Sequence, residues 1–218
     1  MKELIDHIGD DHFSNSMDFT PLRSNAFALS DELKKEQIEF HFAEIMKTLG
    51  LDMSDDSLAG TPKRVAKMYI NEIFAGLNPA NKPSISVFDN KFNYDKVLIE
   101  KNINLNSTCE HHFLPIVGKA HVGYRSSGKV IGLSKLNRIV DYYARRPQVQ
   151  ERLTIQIHRE LVSLLETDDV VVYIDAEHLC VTSRGISDKK SRTVTYENTG
   201  LFAGEMQFKS FLSMANTE

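Results

Sequence analysis

The spacing of apolar positions changes character midway along the chain. From Asp31 onward, Ile38, Phe42, Ile45, Met46 and Leu49 recur at helical spacing. Ser30 stands where a cap belongs, Asp31 and Glu32 fill the first turn and Gly50 follows the last apolar position, so the pattern predicts a helix between them. A second helix is predicted from Thr61-Pro62, a cap followed by proline, through Val65, Met68, Tyr69, Ile73 and Phe74 to Gly76. Residues 77–95, with Pro79, Pro83 and several asparagines, read as a connector holding one short strand. Residues 1–29 lack periodicity and contain Gly9, Asn15, Pro21 and Asn25, so they read as a loosely held arm that orders on assembly.

Beyond residue 95 the period falls to two. Val97, Ile99, Ile103 and Leu105 alternate over 96–105, and 113–124 reads as the antiparallel partner of that strand. Two helical patterns follow. One covers 134–145; the other runs from 147 to about 166 with Leu153, Ile157, Leu161, Leu164 and Leu165 on one face, and the Arg146-Pro147 step separates them. An apolar strand at 170–174, another at 193–196 and a closing helix at 205–214 complete the pattern. Helices, then strands, helices and strands again predict an α+β chain, with an arm over 1–29, a helical unit over 30–94 and a sheet domain over 95–218.

Composition narrows the class of protein. With 218 residues, 41% hydrophobic and 26% charged, the chain can bury a sizeable core. It lacks the run of about 18 apolar residues that a transmembrane helix needs. The start, MKELIDHIGDDHF, is acidic and polar without the apolar stretch of a secretory signal, so reduced thiols and a cytoplasmic location are expected. A net charge of −4 argues against a general nucleic-acid surface and leaves any phosphate site to local clusters of Lys and Arg.

The chain has two cysteines, and each sits beside histidine. Cys109 opens Cys109-Glu110-His111-His112, and Cys180 closes His178-Leu179-Cys180. Thiolate and imidazole are the donors Zn²⁺ prefers. A disulfide, two buried small hydrophobes or a Cys/His nucleophile are the competing readings; core packing gives no reason for histidine beside both copies. Cys109 and His112 converge if the intervening segment turns, and His178 and Cys180 share a face if theirs is extended. A structural site closes with four protein ligands, whereas a catalytic one uses three and keeps a position for water. Five candidates are available, so surplus histidines beside an open metal would serve as proton donors and acceptors. His7, His12, His41, His121 and His158 read as structural.

Glu151 lies near the start of a predicted helix. There it complements the helix dipole, or accepts two parallel N–H bonds from a guanine edge. For phosphate, Ser134 is the expected cap of a helix carrying Lys135 and Arg138; Arg64 and Lys67 repeat that spacing, and Arg184 follows the second cluster by four residues.

Together the segments TPKRVAKMY, STCEHHFLPIVGKAHVGY, VIGLSKLNRIVDYYARRPQVQERLT and DAEHLCVTSRGI resemble GTP cyclohydrolase I, over roughly residues 36–211 and in that family's order. The resemblance implies a tunnelling-fold domain of antiparallel strands with two helices packed on one face. It implies zinc held by Cys109, His112 and Cys180, with His111 and His178 as the acid/base pair. Glu151, with Gln150 beside it, would hold guanine; Ser134 would contact the ribose and phosphate region as part of the catalytic set; and Arg64, Lys67, Lys135, Arg138 and Arg184 would hold the triphosphate. The reaction implied is hydrolytic opening of the imidazole ring of GTP at C8, loss of formate and closure to 7,8-dihydroneopterin triphosphate, in a homodecamer whose sites are shared between subunits. A zinc hydrolase acting on another purine or pterin, and a structural zinc module or nucleotide sensor without turnover, are the alternatives.

Overall fold

A computed structural model describes residues 19–216. His7, His12 and the rest of the arm before Phe19 lie outside the described residues. Helix α1 (Asp31–Thr48) starts where Ser30 Oγ accepts the Leu33 N–H at 3.3 Å and is followed by Gly50 at φ +81°. Two shorter helices follow, α2 (Asp56–Ala59) and α3 (Thr61–Met68), the latter with Pro62 in its first turn. The single helix expected as far as Gly76 is α-helical only to Met68. It then widens into a π turn over Tyr69–Ile73, closed by the Phe74 N–H on the Tyr69 carbonyl at 2.9 Å.

Strand β1 (Val87–Asp89) is the short strand expected in the connector. It pairs with β4 (Lys129–Ile131) as a separate ribbon. The main sheet is built on β2 (Val97–Cys109) and β3 (Pro115–Arg125), the expected antiparallel pair. Helix α4 (Leu133–Ala144), strand β5 (Pro147–Gln148), helix α5 (Gln150–Leu165), strand β6 (Val170–His178), the single turn α6 (Leu179–Thr182), strand β7 (Thr193–Asn198) and helix α7 (Glu205–Asn216) complete the chain. The sheet order is β5-β2-β3-β6-β7, antiparallel except where β5 lies parallel to β2.

Two expected starts are corrected. The helix predicted from Pro147 begins at Gln150, because residues 147–148 pair with Thr108 and Cys109 and the Gln148 carbonyl accepts the Glu110 N–H at 3.0 Å. Ser134 does not cap α4. Gly132 holds the extended cap conformation (φ −65°, ψ 135°), which places Ser134 inside the first turn, exposed.

Helices α4 and α5 cover one sheet face, as expected for two helices on one side. Leu136, Ile139, Val140, Leu153, Ile157 and Leu161 pack there against Ile103, Leu105, Ile116, Ala120 and Val122. Full burial of each large aliphatic side chain is worth about 1.5–3 kcal/mol, so this layer dominates stability. The opposite face takes α7: Phe211 and Ala215 pack with Phe202 on Val171, beside Val97 and Ile99.

Strand β2 therefore contributes odd-numbered side chains to both layers, which an uninterrupted strand cannot do. The register explains it. Glu100 faces Val122 but Ile103 faces Ala120, so one extra residue is inserted around Asn102, which sits at φ +60°. Past this bulge Ile103, Leu105, Ser107 and Cys109 all turn toward the α4–α5 side, where Ser107 Oγ donates to the Ala144 carbonyl at 2.7 Å.

The helical N-terminal unit meets this domain at Gly76. Its N–H donates to the Arg145 carbonyl at 2.9 Å, and a Cβ there would stand 2.0 Å from the Tyr142 carbonyl oxygen, so only glycine permits the approach.

Candidate metal centre and active site

Cys109 is the last residue of β2, and the chain reverses immediately after it. The Phe113 N–H returns to the Cys109 carbonyl at 2.9 Å while the Cys109 N–H donates to Leu114 O at 2.8 Å. The tight reversal forces Phe113 to φ +53°, which is unusual for a bulky residue. Its ring is held edge-on by Tyr69 and tilted against Phe74, both from the π turn and its end. This geometry brings His112 back over Cys109, as the expected turn requires.

Cys180 arrives differently from expectation. The segment is not extended through it: β6 ends at His178, and Leu179–Thr182 makes one helical turn. His178 and Cys180 therefore diverge. The thiol of Cys180 joins Cys109 and His112, while His178 turns to Gln150, its Nε2 2.8 Å from Gln150 Oε1.

The donor atoms of Cys109, His112 and Cys180 all lie within 4.8 Å of one another. Tetrahedral ligation with Zn–S near 2.3 Å and Zn–N near 2.0–2.1 Å calls for ligand separations of about 3.5–4 Å, so small side-chain movements suffice. Both cysteines are free thiols. Burial and the adjacent Cys109 push the Cys180 thiol up to about 11. A cation shared between Cys180 and its neighbour would reverse these local electrostatics. The donor set therefore fits a metal ion, with soft sulfur and imidazole donors of the kind that select zinc.

Around this group stand the other predicted residues. His111 Nδ1 is 3.8 Å from Cys109 Sγ, and its ring is edge-on to that of His112 at 6.4 Å between centroids. Burial lowers the pKa of His178, with the charge of nearby Glu151 acting in the opposite direction. Glu151 is exposed in the first turn of α5. Arg184 reaches across to His112, its Nη1 2.9 Å from His112 Nε2. Two of the remaining cations are engaged elsewhere and two are exposed. Arg64 donates to Thr61 Oγ1 and the Ser57 carbonyl, Lys135 donates to the Ser84 carbonyl, and Lys67 and Arg138 are exposed on α3 and α4. Among the described residues no hydrogen bond or ion pair joins these four to the metal-ligand cluster.

Two site-forming residues escaped the sequence reading. Glu110 accepts a forked pair of bonds from Arg152, Nη1 to Oε2 at 2.5 Å and Nη2 to Oε1 at 3.3 Å, and Arg152 is only 2% exposed. This pair clamps the ligand turn onto α5. Glu110 lies inside the conspicuous cluster, but nothing local signals a partner 42 positions away. Of the histidines read as structural, the three among the described residues are not part of the cluster: His121 and His158 are buried, the latter bonded to Thr199 Oγ1 at 3.0 Å, and His41 lies on α1 against Phe40.

Comparison with known proteins agrees with this arrangement. The family model for GTP cyclohydrolase I matches residues 38–216. A GTP cyclohydrolase 1 of Flavobacterium johnsoniae is 57% identical over 211 residues, covering 97% of this chain and 94% of its own. Proteins of the same name from Aeromonas salmonicida and Vibrio parahaemolyticus are each 55% identical over 183 residues, covering 84% of this chain and 83% of theirs. Among the described residues no helix is long and apolar enough to cross a membrane. With two thiols and an imidazole gathered at the mouth of a β-hairpin, and similarity along nearly its whole length, the chain belongs to the GTP cyclohydrolase I family.

Proposed function

We propose that this protein is a zinc-dependent GTP cyclohydrolase I that converts GTP and water to 7,8-dihydroneopterin triphosphate and formate, the first step of pterin and tetrahydrofolate biosynthesis. The observation that carries the reading is the convergence of Cys109, His112 and Cys180, with His111 against Cys109 Sγ at 3.8 Å and His178 turned to Gln150. Those three residues would hold Zn²⁺. Bound there, the ion supplies Lewis acidity that lowers the pKa of water and so makes a nucleophile available near neutral pH. His111 and His178 move protons to and from the opening imidazole ring and the departing formate. Glu151 accepts two N–H bonds from the guanine edge, beside Gln150, and Ser134 meets the ribose and phosphate region. Arg64, Lys67, Lys135, Arg138 and Arg184 bind the triphosphate.

Sharing of each site between subunits of a homodecamer accounts for the cations that stand apart from the metal cluster within one chain. Exposed apolar side chains on α1, including Phe40 at 61% and Ile45 at 53%, support association. The free thiols favour a reducing compartment, the cytoplasm.

Incubating the zinc-loaded protein with GTP is expected to release formate and generate a pterin chromophore. Release of neither, with zinc present, excludes the reading in favour of a non-catalytic zinc module. A second measurement isolates the guanine contact. Glu151→Gln leaves one N–H of the guanine edge facing an amide donor, a loss of about 1–3 kcal/mol, or roughly 5–150-fold in kcat/KM for GTP. The discrimination of GTP from ITP, which lacks the exocyclic amine, should fall with it. A variant that retains wild-type preference for GTP would reduce Glu151 to a helix-end charge.

A further inference from the structure

Gln150 is the first residue of α5 and only 1% exposed, and both ends of its side-chain amide find partners within the protein. Nε2 lies 2.9 Å from the Thr193 carbonyl, 3.2 Å from the Ile174 carbonyl and 3.1 Å from Thr195 Oγ1. Oε1 faces His178 Nε2 at 2.8 Å. Backbone carbonyls only accept, so the opposite amide orientation would set oxygen against oxygen at two places in the interior. The amide nitrogen must therefore face β6 and β7, and its oxygen must face the imidazole.

The hydroxyls around it agree. Thr154 Oγ1 donates to the Gln150 carbonyl at 2.8 Å and stands 2.7 Å from Thr195 Oγ1. With its proton committed, Thr154 must accept from Thr195, which leaves Thr195 a lone pair for the Gln150 amide. Amide, Thr195, Thr154 and the Gln150 carbonyl form a closed ring with one consistent direction. An oxygen with no proton then fixes what the imidazole can offer: Nε2 of His178 has to carry hydrogen.

We propose that Gln150 is a positioning residue that holds neutral His178 as its Nε2–H tautomer and so presents Nδ1, bonded to no described residue, as the proton-accepting nitrogen. The inference rests on the proposed role of His178 and deepens it by naming the atom: the bond from Nε2–H to Gln150 Oε1 leaves Nδ1 as the nitrogen through which protons pass. It also assigns the Gln150 side chain to His178 instead of to substrate, since both amide hydrogens are held by β6 and β7 and the oxygen faces the imidazole.

Magic-angle-spinning ¹⁵N spectra of the zinc-loaded protein with labelled histidine test this directly, with His178 assigned from the signals missing in His178→Ala. Expected is a protonated Nε2 and a bare Nδ1 in wild type; a protonated Nδ1 overturns the proposal, whether or not any Gln150 variant folds. In Gln150→Ala the single tautomer should be lost and kcat should fall about 10²-fold or more, with KM for GTP within about threefold of wild type. A raised KM with unchanged kcat would return Gln150 to substrate binding and overturn the proposal, as would a folded Gln150→Ala with wild-type turnover while His178→Ala is inactive. Wild-type turnover in His178→Ala itself would instead overturn the reading of His178 on which the proposal rests.

Discussion

Replacing either Cys109 or Cys180 by alanine is expected to strip the metal from a protein that remains folded, and to abolish turnover with it. The two thiols are two of three donors, and they come from the two strands that flank β3, one at the end of β2 and the other on the turn after β6. Loss of a residue that merely orients a ligand costs 10–100-fold in metal affinity, so loss of a ligand itself should exceed about 100-fold. The fold does not depend on the ion. The layer between the sheet and α4–α5 is built from aliphatic side chains at or near zero exposure, and Cys109 adds only a small volume at its edge. Metal analysis after gel filtration, with circular dichroism on the same samples, decides the matter. Undiminished zinc in both variants would remove these cysteines from the site, and collapse of the sheet on metal loss would make the centre structural.

The second large effect concerns stability. Glu110→Ala should lower the free energy of unfolding by about 3–5 kcal/mol, because Arg152 loses its carboxylate while 98% of its surface stays out of water. A denaturant titration reads this as a lower midpoint with unchanged slope. Converting both partners, Glu110→Ala with Arg152→Met, should recover part of the loss, since replacing a buried ion pair by apolar groups of similar volume costs less than breaking it. A midpoint unmoved by Glu110→Ala would mean that the forked contact contributes nothing.

Much of this architecture was legible from periodicity because local signals and tertiary packing agree. The Ser30 cap, the Thr61-Pro62 start and the alternation around Ile103 and Leu105 each describe a preference that the surrounding fold also satisfies. Errors arose where a distant partner won. Pro147 carries a helix-start signal, yet its neighbours pair with the end of β2. Ser134 is the better capping side chain, but the chain leaves β4 in an extended conformation that ends at Gly132. His178 and Cys180 were placed on one face from strand geometry that stops between them. The metal-ligand residues themselves were visible because rare residue types clustered. The supporting contacts were not. Gln150 and Arg152 are ordinary polar residues whose roles depend on carbonyls of β6 and β7 and on a carboxylate 42 positions upstream.

The bulge at Asn102 also constrains how the gene can drift. Glu100 and Ile103 stand three positions apart yet oppose Val122 and Ala120, which share the α4–α5 face, so the bulge absorbs one surplus residue. A codon deleted at 101 or 102 would let one-to-one pairing resume with Cys109 still on its own side of the sheet. The same deletion between Ile103 and Cys109 would turn the thiol toward α7 and act as a metal-site lesion with every ligand codon intact, so the reading frame of the sheet tolerates loss at the bulge and nowhere between the bulge and the cysteine.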